Sequence, residues 1–275
     1  MKTSIAEMIA DRADQMTAGE RRAAQTLIAN YPLIGLKTVA EFSQQAGVSS
    51  PTILRFVARI GFHNYPEFQN RLQEELAAQL QSPSSRAGRT REDAGADATP
   101  TVEATIENIR ETFRHISKKQ LAEQVEVLAN SRSRLLLLGG RFTDPIARYM
   151  AAHLAIVRPN VFHLEGQEST WSDRLIDMGK RDVLVIFDIR RYQDGLGRFA
   201  EKADQRGVQI VLVTDQWLSP IARFARHVIA TRTEVPSAWD SSAALFVVAE
   251  TLIGEVTRRL QDESARRMSE LERLR

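Results

Sequence analysis

Residues 37–60, KTVAEFSQQAGVSSPTILRFVARI, read as two short helices joined by a tight turn. In the first, residues 38–45, the spacing puts Val39 and Phe42 on one face, followed by Ala46. Ala46-Gly47-Val48 is the turn, and Gly47 is the residue type that takes a positive φ at a helix C-terminus without a Cβ clash. Ser49 stands at the N-cap of the second helix, where its hydroxyl can accept from an orphan backbone N–H. Pro51 suits the first turn, where its missing N–H is not needed. Ile53, Phe56, Val57 and Ile60 recur at core spacing, which leaves Ser50, Thr52, Arg55 and Arg59 outside. A plain three-helix bundle is the alternative, but turn, cap and polar stripe together favour a helix-turn-helix. The second helix of that motif presents its N-terminal residues to base edges in the major groove. Double-stranded DNA is therefore the expected partner. Thr38, Ser49, Ser50 and Pro51 are candidate contacts at the helix starts, with Thr52 one step further. Arg55, one turn past the cap, is the candidate reader of guanine unless it pairs with Glu41, and Arg59 is the candidate phosphate contact.

Upstream, Thr17-Ala18-Gly19-Glu20 has the capping-box pattern, and Ala23, Ala24, Leu27 and Ile28 follow at helical spacing. Downstream, residues 66–81 carry Phe68, Leu72, Leu76 and Leu80 on one stripe. Residues 1–80 hold eight cationic and eight acidic side chains. One neutral domain binds DNA weakly, so a dimer that sums two sites is expected. Residues 82–100, SPSSRAGRTREDAGADATP, lose their bulky apolar side chains and read as a flexible linker.

From residue 101 the pattern alternates. Apolar strands are expected near 135–138, 161–164, 183–187, 209–214 and 227–230, separated by amphipathic helices near 144–157, 171–178, 193–206 and 220–224. A long helix at 240–260 closes the chain. Short continuous apolar strands between helices mean a buried parallel sheet in a three-layer α/β domain. Ligands of such folds bind beyond the carboxyl ends of the strands. Those ends read Gly139-Gly140-Arg141-Phe142-Thr143 after the first strand and Asp188-Ile189-Arg190-Arg191-Tyr192-Gln193 after the third. Arginines beside helix N-termini suit an anion. The bland alternative is that Arg141, Arg190 and Arg191 pair with Asp144, Asp188, Asp194 or Asp215.

Composition narrows the classes. At 275 residues and 43% hydrophobic content there is material for two cores. No apolar run approaches a membrane span, and the acidic N-terminus lacks the apolar core of a signal peptide. The chain has no cysteine, which removes disulfides and thiolate sites and fits a cytoplasmic location. Its five histidines show no metal-ligand spacing, so no metal and no cofactor is expected.

The chain resembles the RpiR family of bacterial transcriptional regulators, which join an N-terminal helix-turn-helix domain to a C-terminal sugar isomerase (SIS) domain. The resemblance rests on Ala46-Gly47-Val48-Ser49, Thr52-Ile53-Leu54-Arg55-Phe56 and Ile60-Gly61-Phe62, which match the family's A-G-V-S, T-x-x-R-F and L-G-F. It implies an all-α DNA-binding domain over 1–81, the linker over 82–100, and an SIS-like effector-binding and oligomerisation domain over 101–275. Family members hold a sugar phosphate on S-x-S-G-x-T, where this chain has Asp188 to Gln193. The resemblance therefore implies a regulator whose operator binding is modulated by a small anionic metabolite, a sugar phosphate or a sugar acid. Gly139, Arg141 and Thr143 on one loop, and Asp188, Arg190, Arg191 and Tyr192 on the other, are the candidate effector contacts. A homodimer or tetramer is expected. Two alternatives stay open: a sugar-phosphate isomerase using His163, Glu165, Glu168 or Asp188, and a repressor whose SIS domain only dimerises.

Overall fold

The computed structural model describes residues 3–90, 98–166 and 168–274. It begins with a helix the sequence pattern does not announce, α1 (Ile5–Arg12), opened by a capping box between Ser4 and Glu7. Then follow α2 (Ala18–Ala29), α3 (Val39–Ala46), α4 (Ser50–Arg59) and α5 (Tyr65–Gln79). Thr17 with Glu20 and Thr38 with Glu41 form the capping boxes of α2 and α3. Gly47 ends α3 at φ 61°, in the left-handed region, so the chain turns there without a Cβ penalty. Leu27, Phe42, Ile53, Phe56, Phe68 and Leu72 are fully buried and make one helical core.

The expected linker is partly helical. Pro83–Thr90 forms α6, and Thr99–Arg114 forms α7, so residues 99 and 100 already belong to the next helix. Residues 91–97 lie outside the described residues. Composition suggested that 82–90 lacked anything to order it, yet the Arg86 side chain is buried, with Nη1 2.8 Å from Asp240 Oδ1. A charged anchor, invisible to an apolar-periodicity count, seats this helix.

After α8 (Lys118–Ala129) the α/β pattern runs β1 (Leu135–Gly139), α9 (Asp144–Val157), β2 (Val161–His163), α10 (Glu168–Leu175), β3 (Val183–Asp188), α11 (Asp194–Gln205), β4 (Gln209–Asp215) and β5 (His227–Thr231). Two helices close the chain, α12 (Ala243–Arg259) and α13 (Gln261–Leu274). The sheet is wholly parallel, in the order β2-β1-β3-β4-β5. Alternation along each strand sorts its side chains into two layers. Leu135, Leu137, Val183, Val185, Val211 and Val213 pack with α8, α9 and α12. Leu136, Leu138, Leu184, Ile186, Ile210 and Leu212 pack with α11 and with Ile221 of the short 3₁₀ segment Pro220–Arg223. Two expected helices are displaced: α10 starts three residues before 171, and α12 starts at Ala243 rather than 240. The second shift leaves Asp240 in a loop, where two arginines hold its carboxylate.

The helical domain packs directly on this three-layer domain. Ala6 joins the core beneath α11, and Ile28 and Tyr31 pack against it. Beside them the buried Glu7 carboxylate accepts from Arg232 Nε at 2.6 Å and Nη2 at 2.8 Å. Among the described residues no helix is long and apolar enough to cross a membrane.

Removing one partner of such a buried bidentate pair leaves donors of the other unsatisfied. Arg232 keeps the looser Glu111 carboxylate at 3.6 Å, so Glu7→Gln should lower stability by about 1–3 kcal/mol at that interface. Thermal unfolding followed by circular dichroism should show an earlier first transition, and an unchanged melting profile would refute the assignment.

Candidate functional site

The helix-turn-helix presents one exposed stripe on α4, made of Pro51, Leu54, Arg55, Ala58 and Arg59, with Ser50 half-buried beside it. Thr52 does not belong to it. Its side chain turns inward, the residue is 9% exposed, and its hydroxyl sits 2.9 Å from Ser49 Oγ. That contact also replaces the expected side-chain cap, since Ser49 makes none. Arg55 does not pair with Glu41; its Nη2 donates to Thr52 Oγ1 at 3.0 Å. The Thr38 hydroxyl donates to Glu41 Oε2 at 2.6 Å, within its own capping box. Arg59 Nε lies 3.8 Å from the buried Glu20 carboxylate. Leu54, at 48% exposure, is an apolar member of this stripe that core-spacing arguments passed over.

The second site follows from strand order. β1 and β3 are neighbours, but the chain runs outward from β1 to β2 before returning, so their loops part at a topological switch point. Leu138 pairs with Ile186 and Gly139 with Phe187, which brings the two candidate loops side by side. Gly139 is required there, because a Cβ would lie 2.4 Å from the Asp144 backbone nitrogen.

The first loop satisfies its own polar groups. Thr143 is buried; its Oγ1 accepts from the Gly140 N–H at 2.8 Å and donates to the Phe187 carbonyl at 2.5 Å. It therefore serves the loop and offers no hydroxyl to a ligand, contrary to the sequence expectation. The Arg141 N–H donates to Gln193 Oε1 at 2.8 Å, so the Gln193 amide fills the mouth of the turn. The Arg141 guanidinium lies over the Phe142 ring at 5.2 Å.

In the second loop, Asp188 is buried and accepts from Ser219 Oγ at 2.5 Å. Burial, with Asp215 adding its charge, pushes its carboxyl up to about 7. Burial also raises the Asp215 carboxyl, to about 6, although Arg190 N–H, Tyr192 OH and Trp217 N–H all donate to it. Tyr192 is thereby tied to Asp215 at 2.7 Å. Arg190 takes none of the four acids expected of it for its guanidinium. Nε and Nη2 engage Asp240 Oδ2 and Oδ1 at 2.7 and 2.6 Å, and Nη1 donates to the Ala78 carbonyl at 2.8 Å. The guanidinium stacks on Trp217 at 4.0 Å. Arg191 is exposed and reaches the Gln81 carbonyl at 3.4 Å. Among the described residues Arg141 and Arg191 make no ion pair.

Between these loops and α6 opens a cavity of about 360 Å³, lined by Arg86, Arg190, Arg191, Phe142, Trp239 and Ser242 among others. Arg86, Trp239 and Asp240 escaped the sequence reading. The first lies in the presumed linker. The other two lie in a Pro-Ser-Ala-Trp-Asp loop, where an aromatic next to an acid was the available signal. The groups considered for isomerase chemistry do not converge. His163 Nε2 lies 2.8 Å from Asp144 and lines a different cavity with Glu165. Glu168 pairs with Arg198 at 2.6 Å, and Asp188 faces Ser219.

A helix-turn-helix domain seated on an SIS-type α/β domain defines a class of transcriptional regulator. Residues 3–79 match the helix-turn-helix domain of the rpiR family, and residues 127–254 match the SIS domain. The chain belongs to the RpiR family. It is 24% identical over 234 residues to the bifunctional protein glk of Burkholderia thailandensis, covering 83% of this chain but 35% of that one. The chain thus spans about a third of the length of that relative. The sugar isomerase domain of an RpiR transcription factor from Sphaerobacter thermophilus is 23% identical, covers 63% of this chain and 96% of that one, and gives a TM-score of 0.57. The Vibrio vulnificus NanR protein complexed with ManNAc-6P is 14% identical, covers 98% of this chain and 99% of that one, and gives a TM-score of 0.53.

A raised carboxyl carries a signed stability consequence. Asp188 binds its proton more tightly folded than unfolded, so its contribution is full below about pH 4 and is lost as pH rises through about 7. Each unit of that gap is worth about 1.4 kcal/mol. Asp188→Asn should flatten the fall in stability between those values. Urea melts at a series of pH values would check it, and parallel profiles for the two chains would count against it.

Proposed function

We propose that this chain is a DNA-binding regulator whose operator affinity is set by a small anion held in the cleft between the switch-point loops and α6. One observation carries the reading: Arg190 lines the cleft and also bonds the Ala78 carbonyl, one residue before the end of α5 in the DNA-binding domain. A ligand that changes how Arg190 is held therefore acts on the position of that domain. Such a ligand shifts the equilibrium only by its differential affinity for the two arrangements. The relative complexed with ManNAc-6P supports an anionic effector in this class. Binding rather than turnover is favoured here, because His163 and Glu165 stand apart from the arginine cleft. A second reading, an SIS domain that only dimerises, draws on Gln193 and Thr143 filling the first turn.

For DNA, we assign base reading to Arg55, with Ser50, Pro51 and Leu54 beside it on the exposed stripe. Ser49 and Thr38 shape the helix starts, and Arg59 lies a turn further along toward phosphate. Thr52 holds Arg55 from within the domain. A dimer suits the neutral charge of residues 1–80. Its surface is supplied by half-buried Phe246, Val247 and Ile253 of α12, with Tyr149 edge-to-face on Phe246 at 5.7 Å.

Selection from a random duplex library by the full-length chain tests this directly. It should return a two-half-site sequence, and Arg55→Ala should lose about 1–3 kcal/mol per half-site with relaxed preference at one base pair. Absence of any selected sequence would reject the DNA reading. Light scattering at micromolar concentration should give twice the chain mass or more, and a monomer would reject the dimer.

A further inference from the structure

We infer that the effector is a carboxylate carried on an aromatic or compact apolar body, and that it takes the place Asp240 now occupies between Arg190 and Arg86. The inference rests on the effector-cleft reading above and narrows its ligand class.

The seat has the shape of a carboxylate. Arg190 turns its Nε–Nη2 edge to both Asp240 oxygens at 2.7 and 2.6 Å, and Arg86 Nη1 meets Oδ1 at 2.8 Å. Side-on bidentate pairing of this kind matches a planar group with two oxygens. Stacking on Trp217 and the bond to the Ala78 carbonyl fix the Arg190 plane. The Asp240 carboxylate is shared there by two guanidiniums. Glu234 Oε1 stands looser, at 3.8 Å from Arg190 Nη2, and Arg191 adds a third cation at the rim. Guanidiniums of Arg86, Arg190 and Arg191 therefore still line the cleft when Asp240 leaves it. Asp240 itself sits in the loop before α12, outside any helix or strand.

The walls select the rest of the ligand. Phe142 and Trp239 are 59% and 60% exposed, with ring centroids 5.8 Å apart, and Ile189 and Pro83 continue the apolar side. Among the described uncharged lining residues, only Ser242 and Gln81 carry a hydroxyl or amide side chain besides the Trp239 indole. Sugar hydroxyls seated against Phe142, Trp239, Ile189 and Pro83 would go unpaired, at a cost for each. A phosphate fares no better on the neighbouring turn, whose Arg141 and Gly140 N–H groups are already taken by Gln193 and Thr143. An apolar body covers the two rings, and its carboxylate satisfies the arginines.

Asp240 is then an internal competitor. Removing its carboxylate should open the seat to an external one. In the full-length chain, Asp240→Ala should bind benzoate at least tenfold more tightly than the wild-type chain, measured by calorimetry at ionic strength matched with NaCl. Benzoate should raise the melting temperature of the variant more than that of the wild type, and Arg190→Gln should abolish both effects. If Asp240→Ala does not fold, Asp240→Asn keeps the shape without the charge and should gain at least threefold. Inorganic phosphate and glucose 6-phosphate are the comparison probes. Equal benzoate affinity in the wild-type and Asp240-substituted chains overturns the inference. So does Arg190-dependent binding of glucose 6-phosphate that exceeds benzoate, which leaves the effector cleft standing and removes only the carboxylate class. If none of these anions binds either chain, cleft and class fall together.

Discussion

The guanidinium of Arg190 is the point where three parts of the molecule meet. Its own loop leaves β3, Asp240 comes from the loop before α12, and the Ala78 carbonyl belongs to the helix-turn-helix domain. Trp217 covers its face, so the charge is held in a plane and out of water. A buried arginine needs partners on every edge, since an unpaired donor there is costly. That requirement forces the domains into a definite relation.

Legibility followed the kind of interaction. The helix-turn-helix could be read because its signals are local: capping pairs three residues apart, a glycine at a left-handed turn, apolar residues at helical spacing. The parallel sheet could be read because β1 and β3 are unbroken apolar runs, which only a strand buried on both faces tolerates. The two candidate loops therefore fell at one edge of the sheet, as strand order requires.

What was not legible was partner choice across long separations. Arg190 and Asp240 are 50 positions apart, and Arg86 and Asp240 are 154 apart. No periodicity encodes such pairs, so the acids nearest in sequence looked like the natural partners. Thr143 and Thr52 were misplaced for a related reason. A hydroxyl at a helix start is equally suited to a ligand and to its own backbone, and only the fold decides. The α6 segment shows that low apolar content does not exclude order when one buried ion pair supplies the anchor.

The bond between Glu7 and Arg232 spans 225 positions. In terms of synthesis, α1 finds its charged partner only after residue 232 has been made. The helical core around Phe42 and Phe56 is built from residues that emerge early. Docking of that core onto the sheet joins residues far apart in the chain. Loop-closure entropy grows slowly with length, so this separation costs only about 2 kcal/mol more than closing a loop of roughly 20 residues. The helix-turn-helix residues are thus made well before Arg232, the residue that ties α1 to the sheet domain.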